Sequence, residues 1–205
     1  MNLSSRLILL RILLTPIFVS LLFIDNMGSH ICALFVFILA TLTHISDGYF
    51  LQKNSAPSLW GQFFDPLADK ILVLSALICF TVLGYIQPWM VFIIFIRDLI
   101  ITILRFYAIL QNQPIQTNLL AKIKTSGQIV AIQLIFIYYL FTWRLDLDQA
   151  NGFLGWLHDI HLIPGIMYVI TAVTIFSGII YLIENRVLIQ KAFSNLFRIF
   201  IPTDG

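Results

Sequence analysis

Asp47, Asp65 and Asp69 are the residues whose type and spacing most directly suggest chemistry. They stand in two short stretches, His44-Ile45-Ser46-Asp47-Gly48 and Gly61-Gln62-Phe63-Phe64-Asp65-Pro66-Leu67-Ala68-Asp69-Lys70. His44, Asp47 and Gly48 are spaced i, i+3, i+4, and Gly61, Asp65 and Asp69 are spaced i, i+4, i+8. On helices, each set falls on one face. Three carboxylates meeting in apolar surroundings repel one another, and each costs on the order of several kcal/mol if desolvated without compensation. A cation is therefore expected among them. Oxygen ligands suit a hard divalent ion such as magnesium, which keeps some water and recruits phosphate oxygens of a substrate. A pair of such ions stabilises both the entering and the leaving oxygen of a phosphoryl transfer, which points to a diphosphate substrate. The competing reading is structural: aspartates capping helix ends where water reaches them. That reading suits one aspartate better than three flanked by Gly48 and Gly61, where the backbones can approach closely.

The elements that must position these residues are set by composition. Of 205 residues, 60% are hydrophobic and 11% charged, against roughly 25% charged in soluble domains. Long apolar runs follow one another with short polar breaks, so the solvent for most side chains is lipid. The expected fold is all-α, a polytopic membrane bundle of about six helices of about 20 residues each. The spans fall near Leu7–Ile24, His30–Leu51, Gly61–Ile86, Pro88–Leu110, Lys122–Trp143 and Ile163–Leu182. The short polar link Gln52–Pro57 makes the second and third helices antiparallel neighbours, so the two acidic faces can meet at one membrane boundary. The first run, after Arg6, has no small-residue cleavage pattern behind it and is read as a retained span.

Basic residues give the orientation, since Lys and Arg near span ends stay on the cytoplasmic side. With the N-terminus inside, Arg6, Lys53, Lys122, Lys124, Arg186, Lys191 and Arg198 lie at the inner face, and Arg144 is alone outside. Both termini are then cytoplasmic. After a core of residues 1–183, the tail 184–205 is too polar to span. Ile189, Phe193, Leu196, Phe197 and Phe200 share one helical face beside basic anchors, as in an amphipathic helix on the inner leaflet. The chain reads as a single domain without internal repeats. Its net charge of +2, with scattered basic residues, implies no nucleic-acid partner. Cys32 and Cys79 sit inside apolar runs and form no disulfide or metal framework.

Asp47-Gly48, twelve intervening residues to Gly61, then Asp65 and Asp69 resemble the signature of the CDP-alcohol phosphatidyltransferases, D-x-x-D-G-x-x-A-R-x8-G-x3-D-x3-D. Phe64-Asp65-Pro66-Leu67-Ala68-Asp69-Lys70, Arg97-Asp98 with Arg105, Lys122-Ile123-Lys124-Thr125, and Asn2-Leu3 with Arg11 are similar to the phosphatidylglycerophosphate synthase branch. The resemblance implies a transferase that uses two Mg²⁺ or Mn²⁺ ions to move a phosphatidyl group from CDP-diacylglycerol to glycerol 3-phosphate, releasing CMP. It also implies a bacterial inner membrane, a cytoplasmic active site and a homodimer, although no interface motif stands out. Asp47 and Asp65 would be metal ligands, Asp69 a ligand or the base for the acceptor hydroxyl, and Gly48 and Gly61 would line the nucleotide cleft.

The sequence departs from the signature where His44 replaces its first aspartate and Leu51-Gln52 its Ala-Arg pair. His44 would be a substitute ligand that favours manganese, or a mark of lost activity. Gln52 lacks the bidentate grip of arginine on phosphate, with Lys53 adjacent. Ser4-Ser5 stand where the branch has Pro-Asn, and Ala121 where it often has glycine. A different acceptor, such as inositol phosphate, serine or phosphatidylglycerol, and a non-catalytic homologue that binds lipid or nucleotide are the alternatives these features leave open.

Arg97 and Asp98 fall mid-span and must face the bundle interior. Two readings apply: a structural ion pair, or Arg97 lying deep under an acceptor-phosphate site formed by Arg105, Lys122 and Lys124 and oriented by Asp98. Lys122 and Lys124 also fit as simple inner-face anchors. On the outer side, Asp146, Asp148, His158, Asp159 and His161 match no ligand spacing and read as a solvated loop, and Trp60, Trp89 and Trp143 as interfacial anchors.

Overall fold

The computed structural model describes residues 3–54, 59–111, 119–143 and 161–190, with backbone alone at 3–5, 44–54, 59–66, 69 and 119–123. Among these residues, all regular structure is α-helical. Six long helices follow in order: α1 (Leu3–Leu22), α2 (Met27–Asn54), α3 (Leu59–Val82), α4 (Pro88–Leu110), α5 (Leu119–Thr142) and α6 (Leu162–Glu184). They lie where the apolar runs place them. Among the described residues, Lys124–Thr142 and Leu162–Glu184 are long and apolar enough to cross a membrane, and Met27–Thr43 and Lys70–Val82 are shorter apolar segments.

The expected span to Ile86 stops at Val82. Gly84 takes φ 84°, a left-handed conformation that glycine adopts without steric cost. The amides of Tyr85 and Ile86 then turn back onto the Phe80 carbonyl at 2.9 and 3.3 Å. Pro88 restarts the chain at the first turn of α4, where its missing N–H costs nothing.

α1 packs on α2 and α3, α3 on α4, α6 on α4 and α5, and α5 on α2 and α3. Ile8, Arg11, Thr15, Phe18 and Leu22 are buried at helical spacing along α1, so that helix turns one face to the bundle. Phe18, Phe37, Phe80 and Phe136, all fully buried, tie four helices together in the main core. Contacts sort by end. His30, Tyr85, Tyr139 and Thr142 meet where α2 and α4 begin and α3 and α5 finish: the Tyr139 hydroxyl lies 3.2 Å from His30 Nε2, and the Tyr85 hydroxyl 3.2 Å from Thr142 Oγ1. The Trp143 ring packs edge-on against His30 with centroids 4.6 Å apart, inside this cluster and not as a plain interfacial anchor. Buried charge gathers toward the other end. Cys32 is exposed and Cys79 buried, both as free thiols.

Asn185 ends α6, its Nδ2 donating to the Tyr181 carbonyl at 2.8 Å, and residues 186–190 form a helical turn. Ile189, placed by the sequence on the apolar face of the tail, packs against Ile101, Leu104 and Tyr181. Lys191, Phe193, Leu196, Phe197, Arg198 and Phe200 lie outside the described residues, as do Arg144, Asp146, Asp148, His158 and Asp159.

Candidate active site

His44, Asp47, Gly48 and Gln52 stand on the last turns of α2, and Gly61, Asp65 and Asp69 on the first turns of α3. Only their backbone is described. At 1.5 Å per residue, Asp47 lies about 10 Å from the end of α2, and Asp65 and Asp69 about 9 and 15 Å from the start of α3. The two helices are consecutive and both pack on α1, and among the described residues α2 and α3 are not the closely packed pair that their short link predicts. The donor set is carboxylate-rich and hard, which fits a divalent cation. Among residues with described side chains, no three His, Cys, Asp or Glu groups converge.

The described side chains form a second feature, centred on Asp98. This carboxylate is buried in α4. Lys124 of α5 grips both its oxygens, Nζ donating to Oδ1 at 2.7 Å and Oδ2 at 2.9 Å. Arg97 Nη1 donates to Oδ1 at 2.9 Å, while its Nη2 donates to Ser177 Oγ of α6 at 3.0 Å. From α3, Lys70 Nζ donates to the Asp98 carbonyl oxygen at 2.7 Å and to the Thr102 hydroxyl. Thr102 in turn donates to the same carbonyl at 2.6 Å. Asp98 thus ties α3, α4 and α5 together, and its neighbour Arg97 adds α6. Gly178 permits the α4–α6 approach: a methyl there would stand 3.0 Å from Arg97 Cγ.

Among the described side chains, three cations, Lys70, Arg97 and Lys124, gather at Asp98, Arg97 and Lys124 on its carboxylate and Lys70 on its carbonyl. Arg97 Nε is buried without a hydrogen-bond partner among the described residues. Surplus positive charge in apolar surroundings is costly alone and favourable beside an anion. Arg105 lies two turns farther along α4, half-buried, near the Tyr181 hydroxyl.

The structure therefore brings Arg97, Asp98 and Lys124 together, and the expected pairing of Arg97 with Asp98 is present. Lys124, expected at an acceptor phosphate with Arg105 and Lys122, holds Asp98 in this structure; the Lys122 side chain lies outside the described residues. Sequence reasoning missed Lys70, Thr102, Ser177 and Gly178. Lys70 carried a usable signal, a lysine about 16 Å inside an apolar helix, where an ionisable group demands a partner. Thr102, Ser177 and Gly178 carried none, because small residues are common in such helices.

The family model described as CDP-alcohol phosphatidyltransferase matches residues 1–176. A Bacillus subtilis protein named CDP-diacylglycerol–glycerol-3-phosphate 3-phosphatidyltransferase is 33% identical over 68% of this chain and 78% of its own length. A Mycoplasma genitalium protein of the same name is 30% identical over 73% of this chain and 62% of its own length. A Mycobacterium tuberculosis protein named probable phosphatidylglycerophosphate synthase is 35% identical over 66% of each chain.

Proposed function

The chain belongs to the CDP-alcohol phosphatidyltransferase family, and on that premise we propose that it transfers the phosphatidyl group of CDP-diacylglycerol to glycerol 3-phosphate. The observation that carries this reading is the family match across residues 1–176 with relatives named for that reaction. The charge arrangement supports it: an acidic set on α2 and α3 and a cation-rich node on α3, α4 and α5 suit a substrate pair rich in phosphate.

In this proposal Asp47 and Asp65, with His44 and Asp69, hold two divalent ions, Mg²⁺ or Mn²⁺. When bound, the ions polarise the diphosphate and offset its charge. Asp69 accepts the proton of the acceptor hydroxyl as that oxygen bonds to the phosphatidyl phosphorus. The bond from phosphorus to the CMP oxygen breaks, and CMP leaves with that electron pair. Gly48 and Gly61 let the nucleotide approach the backbone closely, and Gln52 donates to it in place of a charged arginine. Arg105, Lys122, Lys124 and Arg97 supply the positive field for the acceptor phosphate, Asp98 holding Arg97 and Lys124 in place. All six helices span a bacterial inner membrane, the active site and both termini are cytoplasmic, and the tail lies on the inner leaflet. The assembly proposed is a homodimer.

Purified protein given CDP-diacylglycerol, glycerol 3-phosphate and Mg²⁺ or Mn²⁺ is expected to release CMP, and Asp69→Asn to abolish the release. No CMP with any acceptor alcohol would sink the proposal. Turnover with serine and none with glycerol 3-phosphate would reassign the acceptor.

A further inference from the structure

Lys70 makes its contacts away from the acidic edge of its own helix. Its ammonium reaches α4, where it donates to a main-chain carbonyl oxygen, that of Asp98, at 2.7 Å and to the Thr102 hydroxyl. That carbonyl already accepts the Thr102 hydroxyl, so the three groups close a compact ring on one turn of α4. In apolar surroundings such partners exist at few places, and an ammonium that loses them is left desolvated and unpaired.

Successive helical residues are about 100° apart, which puts Lys70 about 100° around α3 from Asp69 and about 140° from Asp65. Anchoring Lys70 to α4 therefore sets the rotation of α3 and the direction in which its acidic edge faces. We propose that Lys70 is a positioning residue, a rotational lock between α3 and α4 that fixes the side of α3 on which Asp65 and Asp69 stand, without contacting substrate. This rests on the phosphatidyltransferase reading of the acidic set. Direct anion binding by Lys70 is the competing role. The contacts disfavour it, because the ammonium is spent on α4 while the Asp98 carboxylate is occupied by Lys124 and Arg97.

The test uses the purified full chain and the variants Lys70→Met, Lys70→Arg, Thr102→Val and the double Lys70→Met/Thr102→Val. Two readouts are taken: steady-state CMP release, and Mn²⁺ binding followed by electron paramagnetic resonance, which reports the acidic set without turnover. Misplacing a reacting group by about 1 Å costs up to about 100-fold, so Lys70→Met is expected to lower kcat by about ten-fold or more and weaken Mn²⁺ binding. The KM for glycerol 3-phosphate should stay within about two-fold, since no acceptor contact is lost. Thr102→Val should shift both readouts the same way by less, Lys70→Arg should restore part of the loss, and the double variant should be no worse than Lys70→Met, since both act through one contact.

A raised KM for glycerol 3-phosphate with kcat and Mn²⁺ binding unchanged would make Lys70 an anion ligand and overturn the lock. So would a silent Thr102→Val or fully additive losses. Should Lys70→Met fail to fold, Thr102→Val and Lys70→Arg carry the same comparison. Absence of CMP release from the wild type, with Mn²⁺ binding still weakened in the variants, would refute the assigned reaction and leave the lock standing.

Discussion

Asp98 shows how one side chain can hold a charged node in apolar surroundings. Its two oxygens take Lys124 and Arg97 at 2.7–2.9 Å, and its carbonyl takes Lys70. Removing one partner of a buried pair leaves the other charge uncompensated, at about 3–5 kcal/mol, whereas replacing both by apolar groups is often neutral. Asp98→Ala is therefore expected to lower the thermal unfolding midpoint in detergent sharply, and Lys124→Met less, since Arg97 still pairs with the carboxylate. The double Asp98→Ala/Lys124→Met should regain part of the loss, leaving Arg97 and Lys70 as the remaining cations of the node. Equal midpoints for Asp98→Ala and the double variant would show that the Lys124 pair adds no coupling. The sequence marked Asp98 and Arg97 because adjacent opposite charges inside an apolar run are conspicuous. It did not pair Lys124 with Asp98, since a lysine near a helix start looks the same whether it meets a phosphate or a carboxylate.

At the scale of the helix, the α4–α6 seam depends on a glycine that no pattern singled out. A Cβ at Gly178 would come 3.0 Å from Arg97 Cγ, whereas at Gly127 and Gly165 it would meet nothing within 4 Å. Gly178→Ala must push the Arg97 stem away from Ser177 or spread the helices, and overpacking of this kind costs about 1–3 kcal/mol. Gly127→Ala and Gly165→Ala should leave stability unchanged or raise it by up to about 1 kcal/mol through helix propensity. Thermal midpoints of the three single variants decide this, and equal losses at all three would refute the close contact. Helix placement itself was legible, because apolar runs broken by Asp25-Asn26, Gln111 and Pro88 leave little freedom over where helices start and stop. The end of α3 was less so: Leu83, Tyr85 and Ile86 are as apolar as the helix before them, and only the left-handed turn at Gly84 stops it. The three aspartates were singled out by spacing, while the Lys70–Asp98 contact joins residues 28 apart through a backbone carbonyl, a partner with no side-chain identity to read.

For the whole molecule, the two ends of the bundle differ in kind. At one, aromatic and hydroxyl groups close around His30, Tyr85, Tyr139 and Thr142; toward the other, Lys70, Arg97, Asp98 and Lys124 converge. The basic residues near the described helix ends favour the charged end, with Arg6, Lys53, Lys122 and Arg186 on that side. Positive residues flanking spans stay cytoplasmic, so the node and the acidic turns of α2 and α3 should open toward the cytoplasm, where a soluble phosphorylated acceptor is available. Asn26 and Gln87 are exposed between helices at the aromatic end, and Gln111 and Arg186 are exposed at the charged end. With Cys32 and Cys79 replaced by serine, Asn26→Cys and Gln87→Cys should react with a membrane-impermeant maleimide in intact cells whose inner membrane is accessible from outside. Gln111→Cys and Arg186→Cys should react only after permeabilisation. The opposite pattern would turn the molecule over and place the node on the outer face, away from the acceptor. A mixed pattern within either pair would mean that the helices between those positions do not all cross the membrane.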